Sequence, residues 1–206
     1  LIAEYGTFGE ERLIVFELQL LADIGLVGLP NAGKSTFLAR TTNANPRVDS
    51  YPFTTLQPQL GIWSVKVGRT KQEIVVADIP GLIEGASLGH GLGYDFLRHI
   101  KACRALVFVL APTDELFGGL QSGDISTQQL LDEMVAQYEL LRGELADFDA
   151  ALLDKNQIVV FNKIDLLPES VASELQSQLT KRKLDWILMS SHTGQGMDEL
   201  QKRIFA

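Results

Sequence analysis

The sequence predicts an α/β fold: a mostly parallel, six-stranded sheet with helices on both faces and one antiparallel hairpin. Three observations predict it. Short apolar runs alternate with amphipathic stretches along the chain, the pattern of βα units that build a parallel sheet. The apolar run Leu20–Val27 feeds Gly28-Leu29-Pro30-Asn31-Ala32-Gly33-Lys34-Ser35-Thr36, a G-x-x-x-x-G-K-S loop that opens a helix. Asp78, Asn162 and Ser190 each stand at the end of a later apolar run, and ligands of such sheets bind at the carboxyl ends of the strands.

The elements follow in order. Within 1–19, Gly6 and Gly9 punctuate a short loop, and Ile14, Phe16, Leu18 and Leu20 alternate at a period of two, a strand signal. This stretch reads as the end of a preceding β-rich segment or as an extension of the same sheet. Leu20–Val27 is a buried strand, and a helix begins at Thr36 and runs to Asn43. Residues 44–57 hold two prolines and no periodicity, so they form a loop. Gln59–Val67 puts Trp63, Val65 and Val67 on one face and Leu60 and Ile62 on the other. Gly68–Gln72 reads as a turn and Glu73–Asp78 as a strand, which makes the hairpin. Gly85, Gly89, Gly91 and Gly93 weigh against a helix over 82–93. Tyr94–Ala102 suits a helix, Ala105–Ala111 an apolar strand, and 112–125, with Gly118, Gly119 and Gly123, a polar loop. Leu131, Met134, Tyr138, Leu141, Leu145 and Phe148 recur at spacings of three and four, a long amphipathic helix. Gln157–Phe161 is a strand, Pro168–Arg182 a helix, Trp186–Met189 a strand and Met197–Phe205 the last helix.

Composition sets the outer limits. With 206 residues, 46% of them hydrophobic, the chain suffices for one ordinary domain with a sizeable core. A net charge of −8 argues against a broadly basic nucleic-acid surface. Arg98, Lys101 and Arg104 read as a solvated helix face rather than an RNA contact. Cys103 is the sole cysteine, so no internal disulfide forms and a reducing compartment is expected, either cytoplasm or an organellar stroma or matrix. No apolar run reaches the ~18 residues of a membrane span, and no signal sequence opens the chain. A start at Leu1 suits a fragment, and a monomer is expected.

The loop at 28–35 carries the chemistry. Its glycines let backbone N–H groups turn inward around phosphate oxygens, and the following helix adds the positive end of its dipole. Lys34 is placed to reach β- and γ-phosphates, and the Ser35 hydroxyl to bind Mg²⁺. In Asp78-Ile79-Pro80-Gly81 a strand-end carboxylate offers a second Mg²⁺ anchor through water, and Gly81 gives the backbone freedom to meet a γ-phosphate. The tetrad alone is a weak signal, but it becomes strong at this distance after a phosphate loop. In Asn162-Lys163-Ile164-Asp165 the Asp165 carboxylate suits the N1–H and 2-amino donors of guanine, which adenine lacks on that edge. Asn162 suits the O6/N7 side and a tie to the phosphate loop, and the Lys163 stem covers the base plane. Ser190-Ser191-His192 offers backbone N–H groups to the guanine oxygen, and His192 by itself reads as an exposed loop histidine. In Phe53-Thr54-Thr55-Leu56-Gln57 a threonine suits both Mg²⁺, by its hydroxyl, and the γ-phosphate, by its N–H, so this loop is ordered by triphosphate and loose with diphosphate.

The order GLPNAGKST, YPFTTLQP, DIPGLIEGAS, NKID and SSH resembles the translation-factor-like GTPases, and more narrowly the Obg family. Phe53 to Leu56, Asp78 to Ser87, Gly91 to Gly93, Phe96 to Ile100 and the lead-in Glu17 to Val27 carry the narrower likeness. The resemblance implies a Ras-like P-loop G domain over 20–206, preceded at 1–19 by the tail of a glycine-rich β domain. It implies Ser35 and Thr55 as direct Mg²⁺ ligands, slow hydrolysis of GTP to GDP, a response to guanosine tetraphosphate, and a role in large-ribosomal-subunit assembly. The family usually has an Ile-Asp pair after Val109, where Leu110-Ala111-Pro112 stands here.

Leu82 takes the place of the glutamine that orients water in Ras-like proteins. Lys34 then remains the main catalytic side chain. Related GTPases with a hydrophobic residue there use an asparagine at the position of Asn31 to help hold K⁺, which makes Asn31 and K⁺ candidates here. The alternative is that Asn31 stabilises the loop by bonding its own backbone. Two other functions compete with a GTPase switch: a guanine-nucleotide sensor with negligible turnover, and a P-loop kinase, against which Asn162 to Asp165 argues.

Overall fold

The computed structural model describes residues 9, 11–14, 22–42, 59–67, 70–78 and 101–205. The expectations for Phe53 to Gln57, for Ile79 to Gly81, for Leu82 and the glycine-rich stretch after it, for residues 94–100 and for most of 1–19 lie outside these residues.

The chain forms β1 (Ile24–Val27), α1 (Lys34–Thr41), β2 (Gln59–Val67), β3 (Thr70–Asp78) and β4 (Ala105–Leu110). Then follow α2 (Asp114–Ser122), α3 (Thr127–Phe148), β5 (Asn156–Phe161), α4 (Glu169–Lys181), β6 (Trp186–Leu188) and α5 (Met197–Phe205). Short 3₁₀ turns lie at Ala150–Asp154 and Ile164–Leu166. The six strands make one sheet in the order β2-β3-β1-β4-β5-β6. β2 and β3 pair antiparallel and every other neighbour pair is parallel.

Alternation along the strands builds two cores. In β4, Leu106, Phe108 and Leu110 face one side with Leu131, Met134, Leu141 and Leu145 of α3 and Leu175 and Leu179 of α4. Val107 and Val109 face the other, with Phe37 and Leu38 of α1 and Leu200 of α5. Both faces of the central strands are therefore covered, which is what a parallel sheet needs. Edge-to-face rings knit each layer: Phe37, Trp63 and Phe205 at 5.6 and 5.7 Å on one side, Phe108, Tyr138 and Trp186 at 5.1 and 5.8 Å on the other. Each such pair adds about 0.5–1.5 kcal/mol beyond its buried area. Asp23, just before β1, ties the start of β4 to the middle of β3. Its carboxylate accepts from Val75 N–H at 2.9 Å and its carbonyl from Arg104 and Ala105 N–H at 3.0 and 3.1 Å.

Two expectations are corrected. The stretch 112–125 holds a helix, α2. Thr113 caps it by accepting from Leu116 N–H, Asp114 and Glu115 sit in its first turn, and Gly123 ends it at φ 84°. Gly119 packs against Ile125, whose side chain would have to shift for a Cβ, since that atom would lie 2.5 Å from Ile125 Cδ1. The hairpin turn is also tighter than Gly68–Gln72, since Val67 pairs with Thr70 and Lys66 with Lys71. Trp63 and Val65 are buried on one face of β2, as expected, while Ile62 on the other is 55% exposed.

Candidate functional site

The carboxyl ends of β1, β3, β5 and β6 converge on one edge of the sheet. β1 delivers the phosphate loop. Gly28 packs so tightly on β4 that a Cβ would lie 2.4 Å from the Val109 carbonyl oxygen. Asn31 turns through φ 62° and Gly33 through φ 96°, left-handed positions that let the loop wrap before α1 begins. Lys34 bends back over this loop, donating to the carbonyls of Gly28 at 2.7 Å and Leu29 at 3.0 Å. Burial pushes its pKa below the ordinary lysine value, opposed by the nearby Asp78 carboxylate. A partly desolvated ammonium held on loop carbonyls is disposed to exchange them for phosphate oxygens.

Asp78, the last residue of β3, is buried. Its Oδ2 accepts from Ser35 Oγ at 2.6 Å, and its Oδ1, also buried, has no hydrogen-bond partner. An orphaned carboxylate oxygen beside a hydroxyl at the mouth of a phosphate loop is a fit for Mg²⁺. That ion takes oxygen donors from one or two side chains and completes its shell with water and phosphate. Among the described residues no group of three or more His, Cys, Asp or Glu stands ready to hold a metal alone.

β5 and β6 deliver the base corner. Asn162 is 1% exposed and both ends of its amide are engaged: Nδ2 donates to Ala32 O and Oδ1 accepts from Ser191 N–H, each at 2.8 Å. The tie to the phosphate loop expected from sequence is present and is made by Nδ2, while Oδ1 holds the loop after β6. Gly33 has to be glycine here, since a Cβ would lie 2.3 Å from Asn162 Nδ2. Lys163 turns through φ 66°, Ile164 is buried with its N–H on the Met189 carbonyl at 3.2 Å, and Asp165 is left exposed on the rim. Ser190 and Ser191 are buried and His192 is exposed. Ala111 and Pro112, where the chain departs from the family pattern, line a cavity of about 170 Å³ with Pro30, Asn31 and Lys163. Lys101 and Arg104 pair with Asp149 at 2.7 Å and Asp23 at 3.6 Å.

Arg40 escaped the sequence reading. From the last turn of α1 it donates to the carbonyls of His192 and Thr193, joining the phosphate-loop helix to the loop after β6. Neither the residue type nor its spacing signals this.

Strand order, phosphate loop, strand-end aspartate and base corner together define a P-loop GTPase domain. Residues 23–163 match the model of the 50S ribosome-binding GTPases, and the chain belongs to that family. It is 44% identical to GTPase Obg of Persephonella marina and 43% identical to GTPase Obg of Aquifex aeolicus. Each match covers 98% of this chain but only 55% and 54% of the relative, so the chain spans about half the length of the curated relatives it matches. The Obg resemblance seen in the motifs is thereby borne out. The G domain of the T. maritima FeoB iron transporter shares the fold, with a TM-score of 0.54 over 90% of this chain and 98% of that one at 20% identity.

Proposed function

We propose that this chain is a guanine-nucleotide switch that binds GTP with Mg²⁺ and hydrolyses it slowly to GDP and phosphate. The observation that carries the reading is Asp78, buried at a strand end with one carboxylate oxygen on Ser35 and the other unpartnered. Residues 28–36 wrap the phosphates, and Lys34 draws charge from the β- and γ-oxygens as the bond to the leaving group breaks. Ser35, Asp78 and, from the segment 53–57, Thr55 hold the metal. When bound, Mg²⁺ would neutralise charge developing on the phosphate oxygens. Asp165 reads the guanine edge, Lys163 covers its plane, and the loop from Ser190 to His192 closes the far side. Residues 78–81 meet the γ-phosphate end.

Leu82 cannot orient water, so Asn31 is assigned a part in holding K⁺ near the phosphates, where a second cation would supply the charge that an arginine finger gives elsewhere. Residues 1–19 are assigned to the tail of a preceding glycine-rich domain. Within the longer protein the switch acts on the large ribosomal subunit, a reading supported by the family's description as 50S ribosome-binding. Guanosine tetraphosphate is a further ligand of the same site.

The test is phosphate release from GTP with and without Mg²⁺, beside GDP and GTP affinities measured on the same chain. Slow, Mg²⁺-dependent release supports the switch. Tight binding with no release would leave a nucleotide sensor instead.

A further inference from the structure

Arg40 stands in the last turn of α1, at the opposite end of that helix from Lys34. Its Nη1 donates to the His192 carbonyl at 2.6 Å and its Nη2 to the Thr193 carbonyl. A rigid planar fork engages two successive carbonyls in a way that a lysine ammonium does not. The loop is shaped to receive it. Gly194 turns through φ 91°, and a Cβ there would lie 2.3 Å from Arg40 Nη2. Ser190 folds the loop on itself: its carbonyl accepts from Gly194 N–H at 2.8 Å, its N–H donates to Gln195 O at 2.9 Å, and its Oγ accepts from Thr193 N–H at 3.0 Å. One residue later, Ser191 N–H is held by Asn162, which also holds Ala32. The segment after β6 thus has two external braces. Asn162 braces residue 191 from the phosphate loop, and Arg40 braces residues 192–193 from the helix that the phosphate loop starts.

We infer that Arg40 is a positioning residue for base recognition: its fork on the His192 and Thr193 carbonyls keeps the loop in the shape that receives guanine and so slows nucleotide release. This rests on the guanine-nucleotide reading above. His192 and Thr193 are exposed, so they lack buried side-chain packing that would hold them once the fork is gone. A loop freed at that point opens more often and the base departs sooner, an effect on dissociation rather than association.

The experiment is stopped-flow release of a fluorescent GDP analogue from the chain, with pyrophosphate competition as the control for the phosphate loop. Arg40→Ala is expected to release GDP about tenfold faster, because the two charge-assisted hydrogen bonds it loses are solvent-exposed and each is worth less than a buried one. Arg40→Lys is expected to fall between the two, and the competition constant for pyrophosphate, which meets the phosphate loop alone, to stay unchanged. Release at the unmodified rate would overturn the inference, as would equal weakening of GDP and pyrophosphate, which would make Arg40 a support of α1 in general. Should the unmodified chain bind no guanine nucleotide, the nucleotide reading fails separately. Amide hydrogen exchange at residues 190–195 then tests the brace: faster exchange in Arg40→Ala upholds it, and unchanged exchange sinks it.

Discussion

Asn162 Nδ2 and the Ala32 carbonyl, 130 residues apart in the chain, are joined by a 2.8 Å hydrogen bond in a site where Asn162 is 1% exposed. The same side chain accepts from Ser191 N–H. One amide therefore fixes three loops against one another. Asn162→Ala would strand a buried carbonyl and a buried N–H, each costing about 1–3 kcal/mol when unpaired. The expected loss of stability is about 2–4 kcal/mol by urea denaturation, with weakened nucleotide binding alongside. A loss well under 1 kcal/mol would mean that the loops are held together by other contacts.

The Ser35–Asp78 pair predicts how the site responds to metal. Asp78→Asn preserves size and an acceptor for Ser35 Oγ but removes the charge that a bound cation would face. Nucleotide release from the unmodified chain is expected to speed up when EDTA is added. In Asp78→Asn it is expected to be fast already and insensitive to EDTA. An EDTA response of unchanged size would place the metal elsewhere.

Asp165 lies exposed on the rim, and in the proposed reading a base stacked against Lys163 would enclose it. A carboxylate then facing adenine finds no N1–H or 2-amino donor on that edge, and sites built on such bonds discriminate by about 10⁴ or more. GDP is expected to displace a bound guanine nucleotide at concentrations where ADP has no effect. Asp165→Asn is expected to shift preference toward xanthine nucleotides, whose 2-oxo group accepts from the new amide. Equal competition by ADP would defeat the assignment.

Potassium supplies a fourth test. Asn31 is exposed at the tip of the phosphate loop in a left-handed turn. Turnover of GTP is expected to be slow in Na⁺ buffer and faster in K⁺, with the difference lost in Asn31→Ala. Equal rates in the two salts would remove K⁺ from the reading and leave Asn31 as a turn residue.

The elements that sequence made legible are those whose signal is local and periodic. Strand β4 is an unbroken apolar run and β5 ends in one, and α3 carries its core-facing residues at helical spacing. The phosphate loop and Asn162 were legible because chemistry restricts both residue type and spacing. α2 was not. Gly118 and Gly119 argue against a helix, and that signal outweighed Thr113, Asp114, Glu115 and Gly123, which argue for one. Gly119 packs against Ile125, a contact invisible to propensity. Arg40 could not be read at all, because its partners are main-chain carbonyls 152 and 153 residues away, and a carbonyl has no sequence signature.

Cys103 gives the last prediction, on stability rather than activity. Its side chain is 2% exposed, and burial pushes the thiol pKa from 9.0 up to about 11. Lys155 works against that shift and Asp23 with it. The folded protein thus favours the neutral thiol more than the unfolded chain does. Its contribution to stability is complete below pH 9, where both states hold the proton, and is lost as pH rises toward 11, where only the unfolded chain has released it. A shift of this size corresponds to on the order of 2–3 kcal/mol. Urea midpoints are expected to fall between pH 8.5 and 11, and to fall less in Cys103→Ala, whose curve starts lower because a small void replaces the sulfur. Thiol reagents should also label the native chain slowly at pH 8, since the thiolate is the reactive form and burial suppresses it. Rapid native-state labelling together with identical pH dependence in Cys103→Ala would show that the thiol is neither buried nor shifted in solution.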